Sequence, residues 1–308
     1  MPDDNFILAR KRDNLQLRAR VIQNIRFFFI KNKFLEVETP IRIPAPAPEE
    51  HIQALSAGGW FLQTSPELCM KRLLAAGYPR IFQIEKCFRA EERGSLHLPE
   101  FTMLEWYEAG FDYHQLMDQC EEMLRSIVIN SGLDSTITRQ CTQINLAEPW
   151  ERITVRAAFK KYAPLSMEDA MDQDKFDETM VEFIEPRLGK DKPAFIYDYP
   201  APVAALAKLK DTDSSVAERF ELYMGGLELA NGFSELTNAA EQRQRFEEAL
   251  EVRAQKGWST YPLPEKFLAA LTNLPACAGI ALGIDRLVML FAGAAGIDDV
   301  IAFPPESL

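Results

Sequence analysis

Arginine, carboxylates, an aromatic ring and a phenol recur at alternating positions in Phe88-Arg89-Ala90-Glu91-Glu92 and in His97-Leu98-Pro99-Glu100-Phe101-Thr102-Met103-Leu104-Glu105-Trp106-Tyr107. Period-two alternation predicts strands over 81–88 and 101–110, joined by a polar loop of hairpin length. On the first strand Gln83, Glu85, Cys87, Arg89 and Glu91 would share a face, with Phe82, Ile84 and Phe88 on the other. On the second, Phe101, Met103, Glu105 and Tyr107 would line up together. Arg89, where strand meets loop, is placed to fork onto a phosphate or carboxylate. Phe101 is placed to stack on a planar base. A surface hairpin with ordinary ion pairs is the plainer alternative, and so many charges beside apolar neighbours argue against it.

Two further groups carry chemistry. Glu221 and Glu228 flank the turn Gly225-Gly226 and are expected to face each other across a hairpin over 219–236. Paired carboxylates raise each other's proton affinity unless a cation lies between them. Mg²⁺, which takes carboxylate and phosphate oxygens, would resolve that conflict; two exposed glutamates fit this segment equally well. The third group, Gly279-x-x-x-Gly283-x-Asp285-Arg286, runs from a small-residue strand into a helix start. Its glycines admit close approach to the backbone, and Arg286 adds charge to the helix N-terminus, which favours anions. Helix–sheet packing would also explain the glycines.

Several elements must position these groups. Leu15, Leu17, Val21, Ile22, Ile25 and Phe29 predict a helix over 13–33, followed by a short strand over 36–41 that Pro40 ends. The Pro/Ala run 43–48 reads as a loop. Ser65-Pro66-Glu67 predicts an N-cap, a proline at the first helical position and an acidic first turn, with Gly77 as the stop. Helices are expected over 114–130 and 239–256, a charge-rich helical stretch over 167–192, and a buried strand over 194–199. Hairpins outnumber crossovers, so the fold class is α/β (α+β), with a largely antiparallel sheet flanked by helices in one domain spanning 1–308.

Bulk properties narrow the function. A net charge of −12 and a pI near 4.9 argue against a large nucleic-acid footprint. No apolar run reaches the length of a membrane span, and the polar N-terminus lacks the layout of a secretory leader, so a cytoplasmic location is expected. The five cysteines include no C-x-x-C pair, and with three histidines a zinc site is not expected.

Taken together, the three groups resemble the three motifs of class II aminoacyl-tRNA synthetases. The Pro40 region is similar to motif 1, Phe88-Arg89-Ala90-Glu91 and its loop to motif 2, and Gly283-Ile284-Asp285-Arg286 to motif 3. Pro66-Glu67, Pro99-Glu100-Phe101-Thr102-Met103, Gly225-Gly226 and Asn231-Gly232-Phe233-Ser234-Glu235-Leu236 resemble the lysyl branch, over most of 15–303. That branch carries an anticodon-binding barrel ahead of motif 1. Here the motif 1 helix begins near residue 13, so the resemblance implies truncated paralogues without that barrel, which activate (R)-β-lysine with ATP and pass it to a lysine of translation elongation factor P.

The resemblance also implies roles. Arg89 would hold the α-phosphate and substrate carboxylate, and Glu91 would read the adenine amino group. Phe101 and Arg286 would sandwich the adenine, with His97 near the outer phosphates. Ala90, Leu98, Leu222 and Gly283 complete the implied ATP site, and Glu221 and Glu228 would bind Mg²⁺. Ser65, Pro66 and Glu67 would line the amino-acid pocket, Asn231 would orient the carboxylate, and Tyr107 and Glu235 would hold the distal ammonium. Ala230 stands where the synthetases usually have glycine, a methyl that reshapes the pocket by about 1–3 kcal/mol. A buried ammonium–carboxylate pair is worth about 4 kcal/mol at ~4 Å in an effective dielectric near ~20. Leu98 and Ala90 replace the usual asparagines of this loop. A homodimer through motif 1 is implied, and tRNA binding is not expected. A tRNA-charging enzyme, an ammonia-dependent asparagine synthetase of the same fold and a non-catalytic regulatory paralogue are the competing readings. Glu235 and Tyr107 suit a cationic side chain better than an acidic one, and Arg89, Glu91, Glu228 and Arg286 are all present.

Overall fold

The computed structural model describes residues 4–139, 141–147 and 149–308; residues 1–3, whose polarity argued against a leader, lie outside the described part. Nine strands form one sheet: β1 (Leu35–Glu36), β2 (Arg80–Phe88), β3 (Glu100–Ala109), β4 (Glu151–Thr154), β5 (Ala194–Pro200), β6 (Leu209–Lys210), β7 (Asp213–Met224), β8 (Leu227–Ser234) and β9 (Cys277–Gly283). They run β1-β2-β3-β9-β8-β7-β5-β4, with β6 on β7. Only β1–β2 and β4–β5 are parallel pairs, so hairpin counting gave the right sheet type.

Alternation along these strands sorts side chains onto two faces. Phe82, Leu104, Trp106, Leu222, Ile280 and Leu282 enter the larger core. There they meet α1 (Arg12–Lys31), α3 (Tyr113–Asn130) and α5 (Ile284–Phe291). The α1 stripe Leu17, Val21, Ile25, Phe28 and Phe29 recurs at helical spacing and is buried. Each such side chain contributes about 1.5–3 kcal/mol of burial. Helix α3 starts on a capping box, in which Asp112 accepts from the Gln115 amide and Gln115 answers to the Asp112 amide. The opposite sheet face sends Ile81, Tyr107 and Cys277 into a smaller core with Leu68, Met70 and Leu74 of α2 (Glu67–Ala75) and Phe246 of α4 (Ala239–Gln255). This second face holds the candidate site.

Two expectations need correction. The strand anticipated over 36–41 is only Leu35–Glu36, and Arg42–Ile43 pairs instead in a small separate sheet with Trp60–Leu62 and Ser56–Ala57. The charged stretch 167–192 is no single helix. It breaks into Met167–Asp172, Phe176–Thr179, a π turn Met180–Ile184 and a 3₁₀ turn Glu185–Arg187. Asp174 takes a left-handed φ of 54°, and Pro186 lacks the donor that continuation needs.

The segment after the proline run has almost no regular structure, and one side chain replaces the missing backbone partners. Arg253 of α4 is fully buried. It donates to the carbonyls of Glu49, Glu50, Ile52 and Ser259 and to the Tyr261 hydroxyl. Tyr261 accepts in turn from the Ala54 amide. Replacing Arg253 with Met strands several buried acceptors at about 1–3 kcal/mol each. Urea unfolding of Arg253→Met should therefore show a loss of about 3 kcal/mol or more at an unchanged m-value, and a loss under 1 kcal/mol would contradict this role.

Candidate active site

Antiparallel register lays the site out as two rows across the second face. Gln83, Glu105, Ala281, Asn231 and Glu221 are successive cross-strand partners, and so are Ile81, Tyr107, Gly279, Phe233 and Arg219. The central strand β9 supplies only small residues, so these rows border a cleft of about 460 Å³ instead of closing over it. One end of the cleft is cationic and the other acidic.

Arg89, Phe101, His97 and Arg286 line the cationic end. The Arg89 guanidinium lies over the Phe101 ring, 5.1 Å from its centroid, and 3.7 Å from Glu92. Its Nε is buried with no partner among the described residues, a donor left for a ligand. Arg286 donates to the carbonyls of Glu228 (2.8 Å) and Leu96 (3.3 Å). Its Nη2 lies 2.5 Å from His97 Nε2. A guanidinium only donates, so that nitrogen must accept and the ring proton sits on Nδ1. Burial and the Arg286 charge both lower the His97 pKa, consistent with a neutral ring.

Beside this end, Asp285 is buried and accepts from Arg18 Nη1 (2.5 Å) and from the Thr102 amide (2.6 Å). That carboxylate ties α1, β3 and α5 together directly behind Phe101 and Arg286. Leu98 is 3% exposed and joins the larger core, so this loop residue is anchored by packing where a hydrogen bond was lost.

Glu221 and Glu228 both line the cleft, but a bulge between Leu222 and Tyr223 pairs Glu228 with Tyr223 and Glu221 with Asn231. They are not direct cross-strand partners. Glu221 accepts from Arg219 Nη2 (2.7 Å) and the Tyr223 hydroxyl (2.9 Å). Glu228 is 3.4 Å from Arg286 and substantially exposed. Burial raises Glu221, and its neighbour Glu228 raises it further against the opposing charge of Arg219. Burial and these two carboxylates also push Glu185 up to about 7. Among the described residues no three His, Cys, Asp or Glu side chains form a complete metal-ligand set. Mg²⁺ needs none, because one or two carboxylates with phosphate oxygens and water suffice, and Glu221 and Glu228, with Glu185 raised beside them, fit it.

The acidic end is the most unusual feature of the molecule. Glu67, Glu105 and Glu235 are buried together around one buried lysine, Lys71. Lys71 pairs with Glu67 one helical turn back and with Glu235 just past β8. Glu105 accepts from Ser65 Oγ (2.6 Å) and the Tyr107 hydroxyl (2.9 Å), and Ser65 Oγ also accepts from the Glu67 amide (3.0 Å). Burial raises Glu235, Lys71 opposes and Glu67 adds to it, with a result of about 8. Burial and then Glu67 raise Glu105, also to about 8. Burial alone would lower Lys71, but Glu235 and Glu67 outweigh it and hold the ammonium above its ordinary pKa. Three carboxylates facing one cation leave the pocket short of positive charge. Glu235 Oε1 has no hydrogen-bond partner and lies over Gly279, where an added Cβ would stand 2.6 Å from it and 2.2 Å from the Tyr107 ring. Gly279 is therefore required by that contact as well as forming part of the cleft floor.

Of the sequence-predicted residues, Ser65, Glu67, Arg89, His97, Leu98, Phe101, Tyr107, Glu221, Glu228, Ala230, Asn231, Gly283 and Arg286 line the cleft. Five do not. Pro66 precedes α2 as its cap, and Glu235 is buried beside the lining residues on the cleft face. Ala90 donates its amide to the Gln53 carbonyl (2.7 Å), and Glu91 leaves the strand with a left-handed φ of 66°, so it does not share a strand face with Arg89. Leu222 is a residue of the opposite core.

The family model for class II tRNA synthetases of the D, K and N type matches residues 6–307. The chain belongs to this family. Its class II relatives include a Vibrio cholerae protein named elongation factor P–(R)-β-lysine ligase, 41% identical over 99% of both chains. Proteins of the same name from Proteus mirabilis (41% identical, 94% of both chains) and Pectobacterium atrosepticum (43%, 95% of both) are similarly close.

Sequence reading of this class II chain missed Lys71, Arg219 and Glu49. Lys71 sits at i+4 from Glu67, a signal available on any helix but common on solvated faces. Arg219 was masked by the neighbouring glutamates, and Glu49 by the proline run that precedes it. The charge deficit has a consequence for pH. Glu105 and Glu235 carry folded-state pKa values near 8 against an unfolded value of 4.5, so the empty site costs stability as pH rises through that window. A diammonium ligand favours the ionised carboxylates and should expel their protons. Titration with lysine near neutral pH should release about one proton, read as different calorimetric heats in phosphate and Tris, and affinity should strengthen toward pH 8. Identical heats in the two buffers would contradict this account.

Proposed function

We propose that the protein activates (R)-β-lysine with ATP as an aminoacyl-adenylate and transfers the aminoacyl group to a lysine of elongation factor P. The observation that carries this reading is the buried, charge-deficient acidic end lying in one cleft with an arginine-lined end. A diamino acid satisfies both, because its ammonium groups compensate the glutamates and its carboxylate points toward Arg89. The names of the class II relatives support the acceptor; the Ala230 methyl lies with its cross-strand partners Leu222 and Leu282 in the larger core, so it reshapes the pocket only through the backbone.

In the first half-reaction a substrate carboxylate oxygen attacks the α-phosphorus of ATP, and the bond to pyrophosphate breaks. Arg89, with its unspent Nε, positions the carboxylate and the α-phosphate, and its charge stabilises the developing negative charge. Phe101 offers a face to the adenine, and Arg286, held by the carbonyls of Leu96 and Glu228, is fixed beside it. Glu221 and Glu228 would hold Mg²⁺, which would neutralise charge on the phosphate oxygens. In the second half-reaction the neutral amine of the acceptor lysine attacks the adenylate carbonyl, and AMP leaves with the bonding pair.

The same reading makes the protein a cytoplasmic homodimer with a single catalytic domain. Exposed apolar side chains on and after α1, namely Phe27, Ile30, Leu35 and Ile41, support a partner on that side. No helix is long and apolar enough to cross a membrane among the described residues.

Amino-acid-dependent ATP–pyrophosphate exchange tests the assignment, with (R)-β-lysine expected to outperform (S)-β-lysine, α-lysine and aspartate. Arg89→Ala should lower that exchange by about 10²-fold or more. Near-normal exchange in the variant would remove Arg89 from the chemistry. Offering tRNA and elongation factor P side by side should acylate the protein acceptor, whereas charging of tRNA alone would replace this reading with the synthetase one.

A further inference from the structure

We propose that Lys71 is a positioning residue for the diamine: its ammonium bridges Glu67 and Glu235 and thereby fixes the spacing and direction of the two carboxylates that receive the substrate. The proposal rests on the functional reading above and assigns to it a residue that need not touch the substrate.

The geometry supports it in three ways. The Lys71 side chain is 1% exposed, and its two carboxylate partners come from different elements, Glu67 from the first turn of α2 and Glu235 from the end of β8. Among the described residues no backbone hydrogen bond joins those elements, so beyond the apolar packing of Leu68, Met70 and Leu74 near Phe233 the ammonium is the polar link between them. Each carboxylate gives Lys71 one oxygen, Oε1 of Glu67 and Oε2 of Glu235; the contact with Glu235 is an ion pair, and neither Glu235 oxygen has a well-aligned hydrogen bond. The ammonium also lies 5.0 Å from the centroid of the Phe233 ring, and Phe233 lines the cleft. Lys71 is thus enclosed on every side by parts of the pocket and exposed to none of its contents.

A lysine kept only for packing would be exchangeable for a residue of similar length. A lysine that balances and aims two carboxylates would not be, because its loss leaves like charges adjacent and free to move. The titratable groups facing Lys71 are Glu67 on its own helix, Glu105 on β3, with Tyr107 bonded to it, Glu235 after β8, Cys277 on β9 and Glu49 on the preceding ribbon. Removing the ammonium makes all the acids among them harder to ionise, so diamine binding should move to higher pH.

The test compares the full-length wild type with Lys71→Met, Lys71→Arg and the double variant Glu67→Gln/Lys71→Met in pyrophosphate exchange, using α-lysine and ornithine beside (R)-β-lysine. Lys71→Met should raise KM for the diamine by about 10²-fold while KM for ATP changes little, with the pH at which diamine KM is lowest moving upward. The double variant, which removes one charge of each sign, should recover part of that pH shift. Lys71→Arg keeps the charge but spreads the carboxylates with its wider fork, so its preference between lysine and ornithine should change. Equal losses in kcat with an unmoved pH profile would overturn the proposal, as would an unchanged preference in Lys71→Arg, which carries the test if Lys71→Met does not fold. Absence of exchange in the wild type with every diamine would instead overturn the functional reading.

Discussion

Three carboxylates buried around a single lysine constrain the rest of this structure. Isolated buried charges cost several kcal/mol each, and partners must be supplied wherever they sit. The protein supplies them incompletely. Ser65 and Tyr107 donate to Glu105, and Lys71 serves both Glu67 and Glu235, yet both Glu105 and Glu235 remain raised to about 8. Such a pocket is stable only if the surrounding fold is rigid enough to tolerate it without collapse. The larger core, built on the opposite face from α1, α3 and α5, provides that rigidity at a distance from the acid.

The strand β9 is what lets both demands be met by one sheet. Its even-numbered residues, Ala278, Ile280 and Leu282, enter the larger core, while Gly279, Ala281 and Gly283 make the floor of the cleft. Tyr107 occupies the space over Gly279 and presents its hydroxyl to Glu105, so a glycine on one strand fixes a hydrogen bond on the next. At the end of β9 the chain enters α5, and Asp285 is held by Arg18 and by the Thr102 amide. Asp285 fixes the helix start, and the arginine that follows is held by the carbonyls of Leu96 and Glu228 before any nucleotide arrives. This pre-organisation matters more than additional contacts, because ordering a long side chain on binding would cost part of the affinity it gives.

Sheet type was legible from alternation, since period-two burial is dictated locally, whereas most of the thirteen cleft residues came from the resemblance to the class II motifs. What escaped has a common cause. Lys71 and Arg219 look like surface charges in sequence and become site residues only when distant strands close around them. Glu49 follows a proline run that reads as plain loop, and its position depends on Arg253, some two hundred residues later, capturing three carbonyls of that ribbon. Leu222 turns into the larger core by plain alternation from Glu221, and the bulge that follows it moves Glu228 out of register with Glu221. Glu91 left the strand face for a left-handed turn that alternation does not foresee. The charge-rich stretch from 167 broke because composition is blind to a left-handed Asp174 and a proline near its end.

Polarity along the cleft also explains how orientation is achieved without a nucleophilic side chain. A diamino acid entering with its carboxylate toward the glutamates would add negative charge to a cluster already short of cations, and its ammonium groups would meet Arg89 and Arg286. Both contacts are repulsive in a partly desolvated site, where charge–charge energies exceed their values in water. The reverse orientation relieves the deficit at one end and brings the carboxylate to an arginine at the other. The two substitutions in the nucleotide loop do not disturb this polarity, because Leu98 is anchored in the core and Ala90 contributes through its backbone amide. Specificity for charge pattern is therefore set by the sheet and by α2, while the loop is left to handle the nucleotide.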